Sequence, residues 1–222
     1  MMKSKKRILY FFMFLPLAVT LIALLFLPDQ VPAHYGWNHQ VDRWGSKYET
    51  LLMPLITILM GFFMIGISKF SSQYEKNGQN NQNVSLTAGI LTVILFNLMT
   101  YYFLYMAFNS VENLSLMSID IFQLLFMALG IMLTIIGNVM PKVRMNSLFG
   151  LRTSWSMKNE IAWKKSQRFG GISFMIVGLL MIMISIFTKG WLCFLLSIGA
   201  LIVSLPFDVY YSYKVAKESE NQ

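Results

Sequence analysis

Long apolar runs separated by short polar intervals dominate this chain. Six of them, at 8–27, 50–68, 86–108, 119–138, 171–188 and 190–212, approach or exceed the ~18 residues a helix needs to cross a hydrocarbon core of about 30 Å. No water is available at that depth, so each backbone must satisfy itself, and helix is the expected form. The pattern predicts an all-α, polytopic membrane protein with six transmembrane helices. The first run follows Lys3, Lys5, Lys6 and Arg7 and ends at Leu27-Pro28-Asp29 without a small-x-small cleavage pattern. It is longer than the apolar region of a signal peptide, so it is expected to stay as the first span.

Composition strengthens the reading. Of 222 residues, 56% are hydrophobic and 13% charged, against roughly 25% charged in a soluble domain. Mean hydropathy is +0.56. Charge adds orientation. With the amino terminus inside, 15 of the 18 Lys and Arg residues fall in cytoplasmic segments, and only Arg43, Lys47 and Lys189 fall outside. That asymmetry is a positive-inside signal, and both termini are expected to be cytoplasmic. It also accounts for the net charge of +8 without a nucleic-acid partner. The single cysteine, Cys193, lies in the sixth run, cannot form a disulfide within the chain, and reads as a small apolar filler.

The polar intervals divide the chain. Segment 28–49, PDQVPAHYGWNHQVDRWGSKYE, carries two prolines, two glycines and two tryptophans and is expected to be an ordered outer loop near the interface. The Asn/Gln-rich interval 69–85 reads as flexible. Lys189-Gly190 leaves room only for a tight turn between the last two helices. Nothing outside the membrane is long enough for its own core. The expectation is therefore one integral domain over 1–222, with a two-helix unit at 8–70 and a four-helix unit at 86–212.

Segment 137–171 is the most informative interval. Lys142, Arg144, Arg152, Lys158, Lys164, Lys165 and Arg168 face a single acid, Glu160. Within the loop 139–169, Ser156 is expected to cap a short amphipathic helix ending at Gly170-Gly171. Met157, Ile161, Lys164, Lys165 and Arg168 would share one face, with Trp163 beside it, lying on the inner leaflet.

The string Gly137-Asn138-x-x-Pro141-Lys142-x-Arg144-x-Asn146-x-x-Phe149-Gly150-x-Arg152-Thr153-x-Trp155, followed by Trp163, Arg168, Phe169, Gly170 and Gly171, resembles the signature of the SdpI family. These are bacterial multi-helix membrane proteins named for an immunity protein against a secreted killing peptide. Leu27-Pro28-Asp29-Gln30-Val31-Pro32-x-His34, with Asp42-x-Trp44-Gly45-x-Lys47, resembles an uncharacterised domain that often precedes that signature. It departs at Trp37-Asn38-His39, where glycine is more usual. The resemblance implies residence in the bacterial cytoplasmic membrane and protection against a toxin peptide met on the outer face. It also implies that an ArsR-type repressor from the cytosol is held at the membrane.

Two readings of the basic segment stand side by side. One is topogenic charge with attraction to anionic lipid, at about 1 kcal/mol per cation. The other is a docking face for a cytosolic protein, with Arg152, Lys158, Lys164, Lys165 and Arg168 as contacts. Charge alone does not call for Asn146, Phe149-Gly150 or Thr153-x-Trp155, so a fixed loop structure is expected. Arg144 and Arg152 could instead bond carbonyls at helix ends. On the outer loop, His34, His39, Asp29 and Asp42 do not follow a standard zinc spacing, and no metal or cofactor is expected.

Within the runs, Asn97, Gln123, Thr134, Asn138 and Asp208 are the polar positions to explain. Asp208 is expected near the cytoplasmic interface, within reach of water and Lys214. Gly130 and Gly137, two turns apart, are expected to permit close helix packing. No nucleophile with its base, paired intramembrane aspartates or phosphate-cradling glycine loop is found, so no enzyme is expected. A small transporter or transport accessory is the competing class. It would require a polar path or broken helices.

Overall fold

A computed structural model describes residues 2–74 and 77–220, apart from the side chains of 79 and 80. Lys76, counted above among the inner cations, lies outside the described residues. The elements are α1 (Met2–Ala23), β1 (Gln30–Tyr35), β2 (Val41–Ser46), α2 (Leu52–Tyr74), α3 (Gly78–Phe108), α4 (Ile121–Val139), α5 (Glu160–Phe187) and α6 (Gly190–Glu218). Among the described residues, six helices are long and apolar enough to span a membrane, as the hydropathy pattern predicts. Large apolar side chains such as Leu25, Phe26 and Phe187 remain more than 70% exposed. Lipid, rather than water, is the solvent that tolerates so much apolar surface.

The chain forms two compact units, Met1–Gly66 with Leu86–Ile121, and Ile67–Ser85 with Phe122–Gln222. In the first, Leu9, Leu86 and Val93 form one buried cluster, and Ala23, Leu27, Val31, Leu104 and Ala107 form another. Asn97 is buried there because its amide donates to the carbonyls of Phe12 and Val93 and its oxygen accepts from the Tyr101 hydroxyl. A polar side chain in an apolar span costs little once each of its groups is bonded.

In the second unit, α4 and α5 cross backbone to backbone. A Cβ placed on Gly130 would sit 2.6 Å from the Gly178 carbonyl oxygen, and one on Gly137 would sit 2.5 Å from that of Gly171. The reverse substitutions at Gly171 and Gly178 meet the same obstacle at 2.5 Å. Four glycines, paired 130 with 178 and 137 with 171, therefore set the crossing. This fits the close packing expected for Gly130 and Gly137. Gly190, at φ +55°, makes the tight turn from α5 to α6.

Three expectations need correction. The interval 69–85 reads as flexible, but among its described residues α2 runs to Tyr74 and α3 starts at Gly78, while 75 and 76 lie outside the described residues. Asn77 and Asn81 are bonded to another part of the chain, as described below. The short interfacial helix does not exist as a separate element. Asn159, not Ser156, is the N-cap, its Oδ1 accepting from Ala162 N at 2.8 Å, and α5 continues through Gly170-Gly171 to Phe187. Gly171 is kept small by the Gly137 carbonyl of α4 and Gly170 by the side chains of Met140 and Leu151, and neither ends its own helix. Finally, Asp208 is fully buried rather than wet, with Oδ2 accepting from Ser173 Oγ at 3.2 Å. Segment 28–49, expected only as an ordered loop, contains the antiparallel β1–β2 hairpin.

Candidate functional site

Between α4 and α5 the backbone makes one 3-10 turn, Met140–Lys142, and then follows an irregular path to Asn159. Irregular backbone lacks the ladder that satisfies a helix or sheet, so its polar groups need side-chain partners. Here they have them. The Asn81 amide donates to the Arg144 carbonyl at 2.9 Å, and Asn81 Oδ1 accepts from Arg144 N at 2.8 Å. One turn earlier, Asn77 donates to the Met145 carbonyl at 2.9 Å. Asn146, 3% exposed, folds the next turn about itself. Its Oδ1 accepts from the backbone N–H of Leu148 and Phe149, and its Nδ2 donates to the carbonyls of Arg144 and Phe149.

The same device recurs downstream. Gln167 is fully buried on α5, where its Oε1 accepts from Leu151 N and its Nε2 donates to Leu151 O, both at 2.9 Å. Gly150 takes φ +97°, and a Cβ there would run into the Gln167 amide. Both facts favour glycine. Thr153 and Ser156 bond reciprocally, each hydroxyl accepting from the other's backbone N–H at 2.9 Å, and Thr153 Oγ1 also lies 2.8 Å from Ser212 Oγ on α6. Trp163, expected in the interface, is instead 1% exposed and donates from Nε1 to the Val143 carbonyl at 2.7 Å. A buried indole needs such an acceptor. Trp155 is partly exposed and packs edge-on against Tyr213, with ring centroids 5.5 Å apart.

The charged residues behave oppositely. Lys142, Arg144, Arg152, Lys158, Lys164, Lys165 and Arg168 are all exposed. Lys158 pairs with Glu220, while the guanidinium groups of Arg144 and Arg152 bond no carbonyl among the described residues. The alternative that they cap helix ends is therefore not what the structure has. Ile161, Lys164, Lys165 and Arg168 do form one exposed face, but on the first turns of α5. Asn138 and Pro141 are exposed; Gly171 is buried at the α4–α5 crossing and Gly170 beside Met140 and Leu151.

In the other unit, the hairpin pairs Gln30 with Ser46 and Tyr35 with Val41. Backbone bonds from Val41 N to Glu112 O and from Leu114 N to His39 O tie it to the segment after α3. The Tyr35 hydroxyl donates to Val111 O at 2.7 Å. Burial, then the neighbouring Tyr102, raises its pKa well above the ordinary value, so it remains a neutral donor. The hairpin's polar groups pair on the surface: His34 Nδ1 lies 2.6 Å from Asp42 Oδ1, Arg43 bonds Glu49 at 2.9 Å, and Lys47 reaches Asp29 at 2.9 Å. The Glu49 hydrogen bonds and charge raise the Arg43 pKa further. Pro28 precedes β1, Pro32 pairs with Trp44 across the ladder, and Gly45 abuts Glu49 and Ala33. No group of three or more metal-ligating side chains occurs among the described residues.

Residues missed from sequence are those that do the holding: Asn77, Asn81, Asn159, Gln167 and Ser212, while Ser156 is singled out there but as a helix cap. A faint signal exists for the first pair, since Asn77 and Asn81 are four apart and share a helix face.

Six apolar helices, an ordered hairpin and a loop fixed by buried amides define a multi-pass membrane protein rather than a soluble binding module. Residues 142–209 match the SdpI/YfhL protein family, and residues 11–58 match a domain of unknown function, DUF1648. Two segments of the chain are thus similar, one to the SdpI family and one to the uncharacterised domain expected before it. Over 201 residues it is 24% identical to "Immunity protein SdpI" of Bacillus subtilis (strain 168), a match covering 90% of this chain and 89% of that protein. No solved structure matches the chain.

Proposed function

We propose that this chain is an immunity protein of the bacterial cytoplasmic membrane, protecting its cell against a secreted antimicrobial peptide. The observation that carries the reading is the match to an immunity protein over 90% of the chain. It is joined here to a loop whose uncharged signature residues hold the backbone while its cations stay exposed. In this reading both termini are cytoplasmic, because 15 of the 18 cations then lie inside. The hairpin faces outward and meets the peptide first. Pro28, Asp29, Pro32, His34, Asp42, Trp44 and Gly45 shape that outer surface. Inside, Arg152, Lys158, Lys164, Lys165 and Arg168 form a cationic face that captures a carboxylate-bearing surface of an ArsR-type repressor and keeps it at the membrane.

Expression in a strain killed by such a peptide tests the immunity half. Survival is expected to rise with the amount of protein in the membrane. Unchanged survival, with membrane insertion verified, would contradict it.

A further inference from the structure

We infer that the basic end of the α5–α6 hairpin holds a binding site for the phosphoryl headgroup of an anionic phospholipid. A cavity of about 390 Å³ opens there, lined by Lys165, Arg168 and Phe169 of α5 and by Tyr211, Lys214 and Glu218 of α6, among others. Three of its eight lining residues are cations and one is an acid. None of Lys165, Arg168 and Lys214 has a hydrogen-bond or ion-pair partner among the described residues. This sets the cluster apart from Arg43, Lys47 and Lys158, each of which has its carboxylate. Three uncompensated cations around one concavity call for an anion, and guanidinium and ammonium groups together suit phosphate oxygens.

The surroundings specify a lipid. Phe169 and Tyr211 stack at 4.0 Å with planes 8° apart, giving the cavity an amphipathic aromatic wall of the kind found at headgroup depth. From Ile172, an exposed apolar stripe continues along α5 through Ile176 and Leu179, each about half exposed, at the i, i+4, i+7 spacing of one helix face. A headgroup among the cations thus leaves its acyl chains against that stripe. The inference does not depend on the immunity reading, and a repressor docking on Lys165 and Arg168 would have to displace this lipid.

The test uses the full-length protein in zwitterionic nanodiscs, titrated with phosphatidylglycerol and followed by native mass spectrometry. The wild type is expected to retain phosphatidylglycerol at least tenfold better than phosphatidylcholine. Lys165→Gln/Arg168→Gln and, separately, Lys214→Gln should each weaken retention roughly tenfold, the scale of losing one or two headgroup-facing cations. Lys217→Gln, on α6 but outside the cavity, should not. Equal loss in Lys217→Gln would reduce the site to general surface charge and overturn it. Full displacement of the lipid by inorganic phosphate at equal concentration would overturn the lipid assignment in favour of a free-phosphate site.

Discussion

The hairpin 30–46 and the loop 142–159 solve one problem in opposite ways. Each is a polar stretch between apolar helices that must satisfy its backbone. The hairpin does so with its own ladder and with backbone bonds to the segment after α3, leaving its side chains to form exposed ion pairs. The loop has no ladder. Its peptide groups are met by the side chains of Asn77, Asn81, Asn146, Ser156 and Gln167. Backbone-to-backbone pairing accepts many sequences, whereas backbone-to-side-chain pairing demands particular residues. The loop therefore carries a recognisable signature for a structural reason, while Lys142, Arg144 and Arg152 stay exposed.

Substitutions can break that contrast, beginning with the scaffold beneath the loop. Gly171→Val drives a side chain into the Gly137 carbonyl of α4 and is expected to cost about 3 kcal/mol, read as a large fall in melting temperature of the purified protein. Asn81→Ala leaves the Arg144 N–H and C=O without these partners and should cost about 2 kcal/mol. Its signature is faster hydrogen exchange confined to residues around 143–149. Gly150→Ala, at φ +97° against Gln167, should cost about 1 kcal/mol. In the hairpin, Arg43→Gln removes a solvent-screened ion pair and should leave the melting temperature unmoved, since such pairs contribute little. If Arg43→Gln were as damaging as Asn81→Ala, the distinction between the two regions would fail.

The six spans were legible because length and hydropathy suffice to read a membrane helix. Their ends were less so. α5 begins eleven residues before its apolar run and α3 eight before its own, because Asn81, Trp163 and Gln167 are buried against protein, not lipid or water. The Asn81–Arg144 pairing spans 63 residues, and no local pattern reveals it. Gly130 and Gly137 were readable as a packing face, but Gly170-Gly171 reads locally as a helix stop. Only the approach of α4 to Gly171, and of Met140 and Leu151 to Gly170, shows why glycine is required there. Asp208 looked accessible from its place near the helix end, yet it is buried beside Ser173. The hairpin strands were obscured by their prolines and glycines, and they form because Tyr35 and the residues after α3 give them something to pair with.

The central claim is that buried amides build the 142–168 region and its exposed arginines act on a partner. Arg152→Ala/Arg168→Ala tests it most directly, by co-sedimentation of the proposed ArsR-type repressor with membranes alongside melting of the purified variant. The account predicts a wild-type melting temperature with repressor recruitment lost. Unchanged co-sedimentation, or a fall in melting temperature as large as that of Asn81→Ala, would contradict it.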